Sequence, residues 1–157
     1  MNVTIEKATS DHLNEYYPVF DDSALYDHYF VGTNKLHEWL DRPTALGHVY
    51  AALTSHREPV GIMHMQMDGM CGLPYLALLG VKKMYRGMGI GRKFLAMFIG
   101  VAEEYGAPNM FIMTSTFNVR AKQLYESVGF RKVGILPSFS VKGVDEILFI
   151  RPNSKQK

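Results

Sequence analysis

Apolar positions in this chain recur in two rhythms, and the elements follow from them. From Ile90 onward the large apolar residues fall at Ile90, Phe94, Met97, Phe98, Val101 and Tyr105, the three- and four-residue spacing of a helix with one buried face. Gly106, with Pro108 just beyond, stops that helix. Before it, Tyr75–Val81 is a short leucine-rich run that predicts a buried strand. Val3 and Ile5 alternate with polar neighbours in residues 1–7, a first strand. Residues 48–55 and 59–67 flank a turn-prone His-Arg-Glu-Pro and predict a hairpin. Residues 110–116 form a further buried strand, and 130–136 and 146–150 complete the sheet. Three helices are expected besides the long one: residues 11–20 behind a Ser10 cap, 35–40 ended by Arg42-Pro43, and Val119–Ser127 between an Asn118 cap and Gly129. Residues 19–30 mix acids and aromatics without a period and predict a loop or broken helix. The polar tail, 151–157, is expected to fray.

Composition narrows the classes. With 157 residues, 47% of them hydrophobic, the chain has apolar material for one domain spanning 1–157, and no repeat suggests a second. A formal net charge of +2 is too small to predict nonspecific nucleic-acid binding. The single cysteine, Cys71, excludes an intramolecular disulfide framework and fits a reducing compartment. The opening residues carry no apolar signal segment and no run reaches about eighteen apolar residues, so a cytoplasmic protein without membrane attachment is expected. Six histidines show no metal-ligand spacing, and no metal is expected.

Chemistry concentrates between the strand ending at Val81 and the long helix. Lys82, Lys83, Arg86, Arg92 and Lys93 surround Gly87, Gly89 and Gly91, so the turn can expose unpaired backbone N–H groups beside positive charge. The helix dipole alone contributes about 0.3–1 kcal/mol to an anion, too little to hold a metabolite, whereas several charge-assisted N–H bonds could hold a diphosphate. Glycines also serve tight turns and close packing, so the turn alone does not decide. The nucleotide P-loop pattern fails because Gly91 is followed by Arg92 and Lys93 without a hydroxyl for magnesium. The dinucleotide fingerprint fails on its glycine spacing.

What the residues do match is Arg/Gln-x-x-Gly-x-Gly/Ala, at Arg86, Gly89 and Gly91, directly after a strand. A second match lies downstream, where Asn118, Ala121, Leu124, Tyr125, Gly129 and Phe130 recur in order. Together these resemble the two signatures of the GNAT superfamily of acetyl-CoA-dependent N-acetyltransferases. The resemblance implies an α/β fold: a mixed, mostly antiparallel sheet whose two central parallel strands splay apart, with helices on both faces. It implies acetyl-CoA as cosubstrate, its pantetheine arm bonded to the backbone of Leu79, Gly80 and Val81 and its diphosphate on the N–H groups of Arg86, Gly87, Met88, Gly89, Ile90, Gly91 and Arg92. It implies pantetheine binding by Asn118, which can equally cap its own helix, and a general-acid role for Tyr125, for which a core tyrosine is the alternative.

The implied reaction is direct transfer of an acetyl group to an amine. An alkyl ammonium of pKa near 10.4 is neutral in about one part in several thousand at pH 7, equivalent to roughly 4.6 kcal/mol, so a proton must be removed. Many family members use a glutamate on the central strand, and the stretch from Leu73 to Val81 has no acid or histidine. His64 on the preceding strand is the candidate base, with a satisfied histidine as the alternative. Cys71 reads as structural rather than nucleophilic. Asp22, Tyr26, Asp27 and Tyr29 could form an acidic, aromatic-lined mouth for a cationic amine, or an ordinary solvated loop. The amine, small molecule or peptide, stays open, as does a homodimer. The missing strand acid also keeps open a non-catalytic acyl-CoA-binding or regulatory module on the same fold.

Overall fold

A computed structural model describes residues 2–156. Two compact units are present, one made of the residues up to Met65 with Leu78–Phe94, the other of Gln66–Ala77 with the residues from Leu95 onward. The strands are β1 (Thr4–Lys7), β2 (Val49–Leu53), β3 (Pro59–Gln66), β4 (Tyr75–Val81), β5 (Asn109–Ser115), β6 (Arg131–Val141) and β7 (Val144–Pro152). They form one sheet in the order β1-β2-β3-β4-β5-β7-β6, mostly antiparallel with β4 and β5 parallel. Helices α1 (Leu13–Tyr16), α2 (Lys35–Ala45), α3 (Ile90–Tyr105) and α4 (Val119–Ser127) flank it. Among the described residues no helix is long and apolar enough to cross a membrane.

In the first unit β3 is buried from Pro59 through Met65, the continuous apolar run of a strand covered on both faces. β2 pairs with it antiparallel, Ala51 opposite Ile62. Helix α2 runs past Pro43 to Ala45 rather than ending at Arg42-Pro43. Leu36, Leu40 and Thr44 form its buried stripe, and the last of these draws one more turn onto the core despite the N–H that proline lacks. The helix expected over 11–20 is three short pieces instead: a 3-10 turn at Ser10–His12, the single turn α1, and a 3-10 turn at Tyr17–Phe20 that Pro18 opens. Ser10 lies inside the first turn, which has no side-chain cap. Burial of Tyr16, Val19 and Phe20 fixes this irregular path. Tyr26–Phe30 closes as one π turn, with Phe30 edge-on to Trp39 at 5.1 Å.

In the second unit β5 pairs with β7 over its whole length, from Asn109 opposite Pro152 to Ser115 opposite Glu146. The parallel register of β4 on β5 consists of Tyr75 opposite Phe111 and Leu76 opposite Ile112. The β6–β7 hairpin extends well past its two apolar runs: after Leu136 opposite Glu146 the register shifts, and Val141 opposite Val144 closes the pair at the turn containing Gly143, φ +83°. Residues 151–156 do not fray as expected, and Lys157 lies outside the described residues. Asn153 is buried and its side-chain amide donates to the carbonyls of Glu103 at 3.2 Å and Ala107 at 3.0 Å. The Glu103 carbonyl lies in the last turn of α3, where carbonyls need donors from outside the helix, and the polar tail supplies one there and another to Ala107 just beyond it. Ser154 adds a hydroxyl bond to the Glu103 carboxylate at 2.5 Å. Asn153→Ala is expected to lower unfolding free energy by about 1–3 kcal/mol, seen as an earlier urea midpoint; an unchanged midpoint would show that the tail anchors nothing.

Candidate functional site

The first unit carries the basic, glycine-rich turn. The Lys82 N–H donates to Val60 O at 2.9 Å, so by strand alternation the backbone groups of Leu79 and Val81 point away from β3. Val81 O accepts from Arg86 Nε at 2.9 Å. A 3-10 turn, Lys83–Tyr85, then leads to Gly87 and Gly89, with φ +81° and +83°. A Cβ at either glycine would meet nothing within 4 Å; conformation, not crowding, calls for glycine there. The first intrahelical bond runs from Lys93 N–H to Gly89 O at 3.0 Å. The N–H groups of Ile90 and Gly91 precede that bond and sit at the positive end of the helix dipole.

Packing fixes where this helix end stands. Ile90 and Phe94 are fully buried, and a Cβ on Gly61 of β3 would lie 2.8 Å from Phe94 Cε2 and 3.2 Å from Ile90 Cγ2. Gly80 serves packing as well, since a Cβ there would fall 2.4 Å from the Phe20 ring. Met88 is exposed. Of the five cations around the turn, Lys82 is committed to Glu58, Nζ to Oε1 at 2.9 Å. That bond and one from the Tyr85 hydroxyl hold the Glu58 carboxyl below its usual range.

The second unit holds the other signature residues. Asn118 Oδ1 accepts from the Ala121 N–H at 3.2 Å, so the helix cap is made. Tyr125 on α4 is buried, edge-on to Phe130 at 6.4 Å and Phe149 at 6.0 Å. Burial first, and the charge of Tyr75 second, push its phenol above the usual range and keep it protonated. Tyr75, stacked on Phe111 at 4.5 Å, is pushed up to about 12 by burial and then by the charge of Glu146. Glu146 is itself only 7% exposed. It stands on β7 rather than on β4, and its mark in the sequence is an acid heading an apolar strand, in phase with Leu148 and Ile150.

His64 is buried on β3, its ring stacked with His48 at 6.3 Å. Burial, and then the charge of His48, lower it to about 4, so it is neutral at pH 7. In the segment expected to receive the amine, Asp22 and Asp27 are exposed. Tyr26 is half-buried and edge-on to Phe30 at 6.3 Å. Tyr29 lies in the aromatic core, 5.9 Å from Trp39. Cys71 is exposed in a short turn with φ +59°. Among the described residues no group of three His, Cys, Asp or Glu could hold a metal ion.

Residues 7–130 match the model of the acetyltransferase (GNAT) family. The chain belongs to that family. It is 32% identical over 76 residues to N-alpha-acetyltransferase 30 of Schizosaccharomyces pombe, an alignment covering 48% of this chain and 51% of the relative. The chain thus spans about half the length of the curated relative it matches. Ard1 from Thermoplasma volcanium superposes with a TM-score of 0.79 at 17% identity, covering 97% of this chain and 98% of that one. Chaetomium thermophilum Naa20, solved with a bisubstrate analogue, gives 0.77 at 18% identity, covering 99% and 90%. These two likenesses establish the GNAT fold over nearly the whole chain.

In this GNAT chain His64 has a testable consequence for stability. An unfolded histidine titrates near 6.5, whereas the folded one is lowered to about 4. Between these values the unfolded state binds more protons, so stability rises with pH through that window. Lowering pH from 6.5 to 4 is expected to remove up to ~3 kcal/mol through this group, and His64→Gln should abolish that share. Identical pH dependence in both proteins would show that His64 protonates freely when folded.

Proposed function

We propose that this chain moves an acetyl group from acetyl-CoA to a primary amine by direct attack of the amine on the thioester. The observation that carries the reading is the turn through the left-handed Gly87 and Gly89 into α3, which leaves N–H groups without helical acceptors in a chain of the GNAT family. The diphosphate takes the N–H groups of residues 87–92, with Arg86 and Arg92 supplying charge. The outward-facing backbone of Leu79 and Val81 receives the pantetheine arm. Similarity to an N-alpha-acetyltransferase favours a peptide amino terminus as the amine.

Tyr125 supplies the hydrogen to the departing thiolate. Its phenol stays protonated at neutral pH, and the burial that weakens it as an acid also raises the basicity of a sulfur anion in the same surroundings. The proton gap between the two is therefore not widened by burial. A silent acyl-CoA-binding module is the second reading, favoured only by the absence of an acid on β4.

Incubation with acetyl-CoA and a panel of unblocked peptides and small primary amines, read by mass spectrometry, is expected to give N-acetylated product. Tyr125→Phe should lower kcat by about 10²–10⁴-fold and leave coenzyme A affinity nearly unchanged. Coenzyme A binding without turnover on any amine would favour the silent module; an unaltered kcat in the variant would remove Tyr125 from the acid role.

A further inference from the structure

The acetyl-transfer reading leaves the amine's proton without a destination, and the second unit contains one. Tyr75 and Phe111 stack with an interplanar angle of 9°, so both side chains lie on the same face of the sheet. Phe111, Met113 and Ser115 share that face by strand alternation, β5 being paired without a bulge from Asn109 to Ser115. Ser115 is opposite Glu146, which places the Glu146 carboxylate on the Tyr75 face. Phe149, against which Tyr125 packs edge-on, belongs to the other face. A buried carboxylate on one face and a buried phenol on the other match the two proton needs of amine acetylation, one at the nucleophile and one at the leaving group.

We propose that Glu146 is the proton acceptor for the attacking amine, an assignment that rests on the acetyl-transfer reading above. The carboxylate first holds the substrate ammonium and then takes one proton from it, leaving a neutral amine and a carboxylic acid. The amine nitrogen forms its bond to the thioester carbon, the carbon–sulfur bond breaks, and the electron pair leaves on sulfur. Tyr125 gives its phenolic proton to the thiolate and takes up the second nitrogen proton in its place, and Glu146 returns its proton to solvent. The sum is ammonium plus thioester giving amide, thiol and one released proton.

The environment favours this carboxylate over its neighbours. Transfer from ammonium to carboxylate removes two charges from a buried site, which desolvation assists. Transfer to His64 would only move a positive charge onto another buried group. Tyr75 stays a neutral phenol at pH 7 and cannot accept a proton in that form. The titratable group facing Glu146 from β4 is Tyr75, itself coupled to Tyr125 of α4. Its register partners on β5 and β6, Ser115 and Leu136, carry no charge.

The test compares wild type, Glu146→Gln and Glu146→Asp on the peptide best acetylated by the wild type, from pH 6 to 10, with folding checked by near-UV circular dichroism. Glu146→Gln is expected to lose about 10²–10⁴-fold in kcat at neutral pH. The loss should shrink toward pH 10, where the amine approaches its own pKa and needs no base, while coenzyme A affinity holds. Glu146→Asp, which keeps the carboxylate, should lose less and recover along the same curve. It carries the test alone if the Gln variant does not fold. Wild-type kcat in the variants, or a loss of equal size at every pH, would overturn the Glu146 assignment alone. A wild type that binds coenzyme A yet acetylates nothing would overturn the transfer reading and this assignment with it.

Discussion

Phe94 packs onto the bare backbone of Gly61 closer than a β-carbon would allow, with Ile90 pressed beside it, and much of the first unit follows from that contact. The approach fixes the start of α3 relative to β3. The chain leaving β4 must then turn sharply into the helix, and it does so through two residues in the left-handed region, Gly87 and Gly89. The N–H groups of Ile90 and Gly91 thereby precede the first bond of the helix. A packing constraint in the core thus sets the direction of backbone N–H groups at the start of α3. The same unit seats Phe20 against Gly80, so Gly61 and Gly80 answer to crowding whereas Gly87 and Gly89 answer to backbone conformation.

The second unit is governed by strand register instead. Seven consecutive pairings between β5 and β7 settle which side chains share a face, and a slip of one residue would exchange the faces completely. In the observed register Glu146 joins Tyr75 and Phe111, while Phe149 and Tyr125 belong to the opposite side. Burial then sets the chemistry. Both phenols are held in their neutral forms, and a carboxylate stands near one of them. Proton transfers that remove charge are favoured in such surroundings, and those that merely move it are not.

Strong local signals made much of this legible from sequence. The limits of β4 and α3 follow from an apolar run and a helical period, and Asn118 caps α4 as its type and position imply. The weaker readings failed where tertiary packing overrode local preference. Pro43 does not stop α2, because Thr44 is drawn into the core. Polar residues 153–156 looked like a loose tail, yet their side chains satisfy the end of a helix far away in sequence. Glu146 carried only a weak local signal, an acid heading an apolar strand, and the pairing of β7 with β5 is what shows that it shares a face with Tyr75. The segment expected to bind the amine illustrates the converse, since Tyr29 is spent on the aromatic core and the exposed acids beside it have no periodic signal to orient them.

The grip of backbone amides on a diphosphate is the claim to which the rest is most exposed. Calorimetric titration with coenzyme A, repeated with pantetheine, which lacks the diphosphate, and paired with backbone amide NMR shifts measures it directly. Tight uptake of coenzyme A, a large loss of affinity for pantetheine and shifts concentrated at residues 87–92 are the predicted result. Equal affinity for the two compounds, or coenzyme A uptake that leaves those amides unmoved, would contradict it.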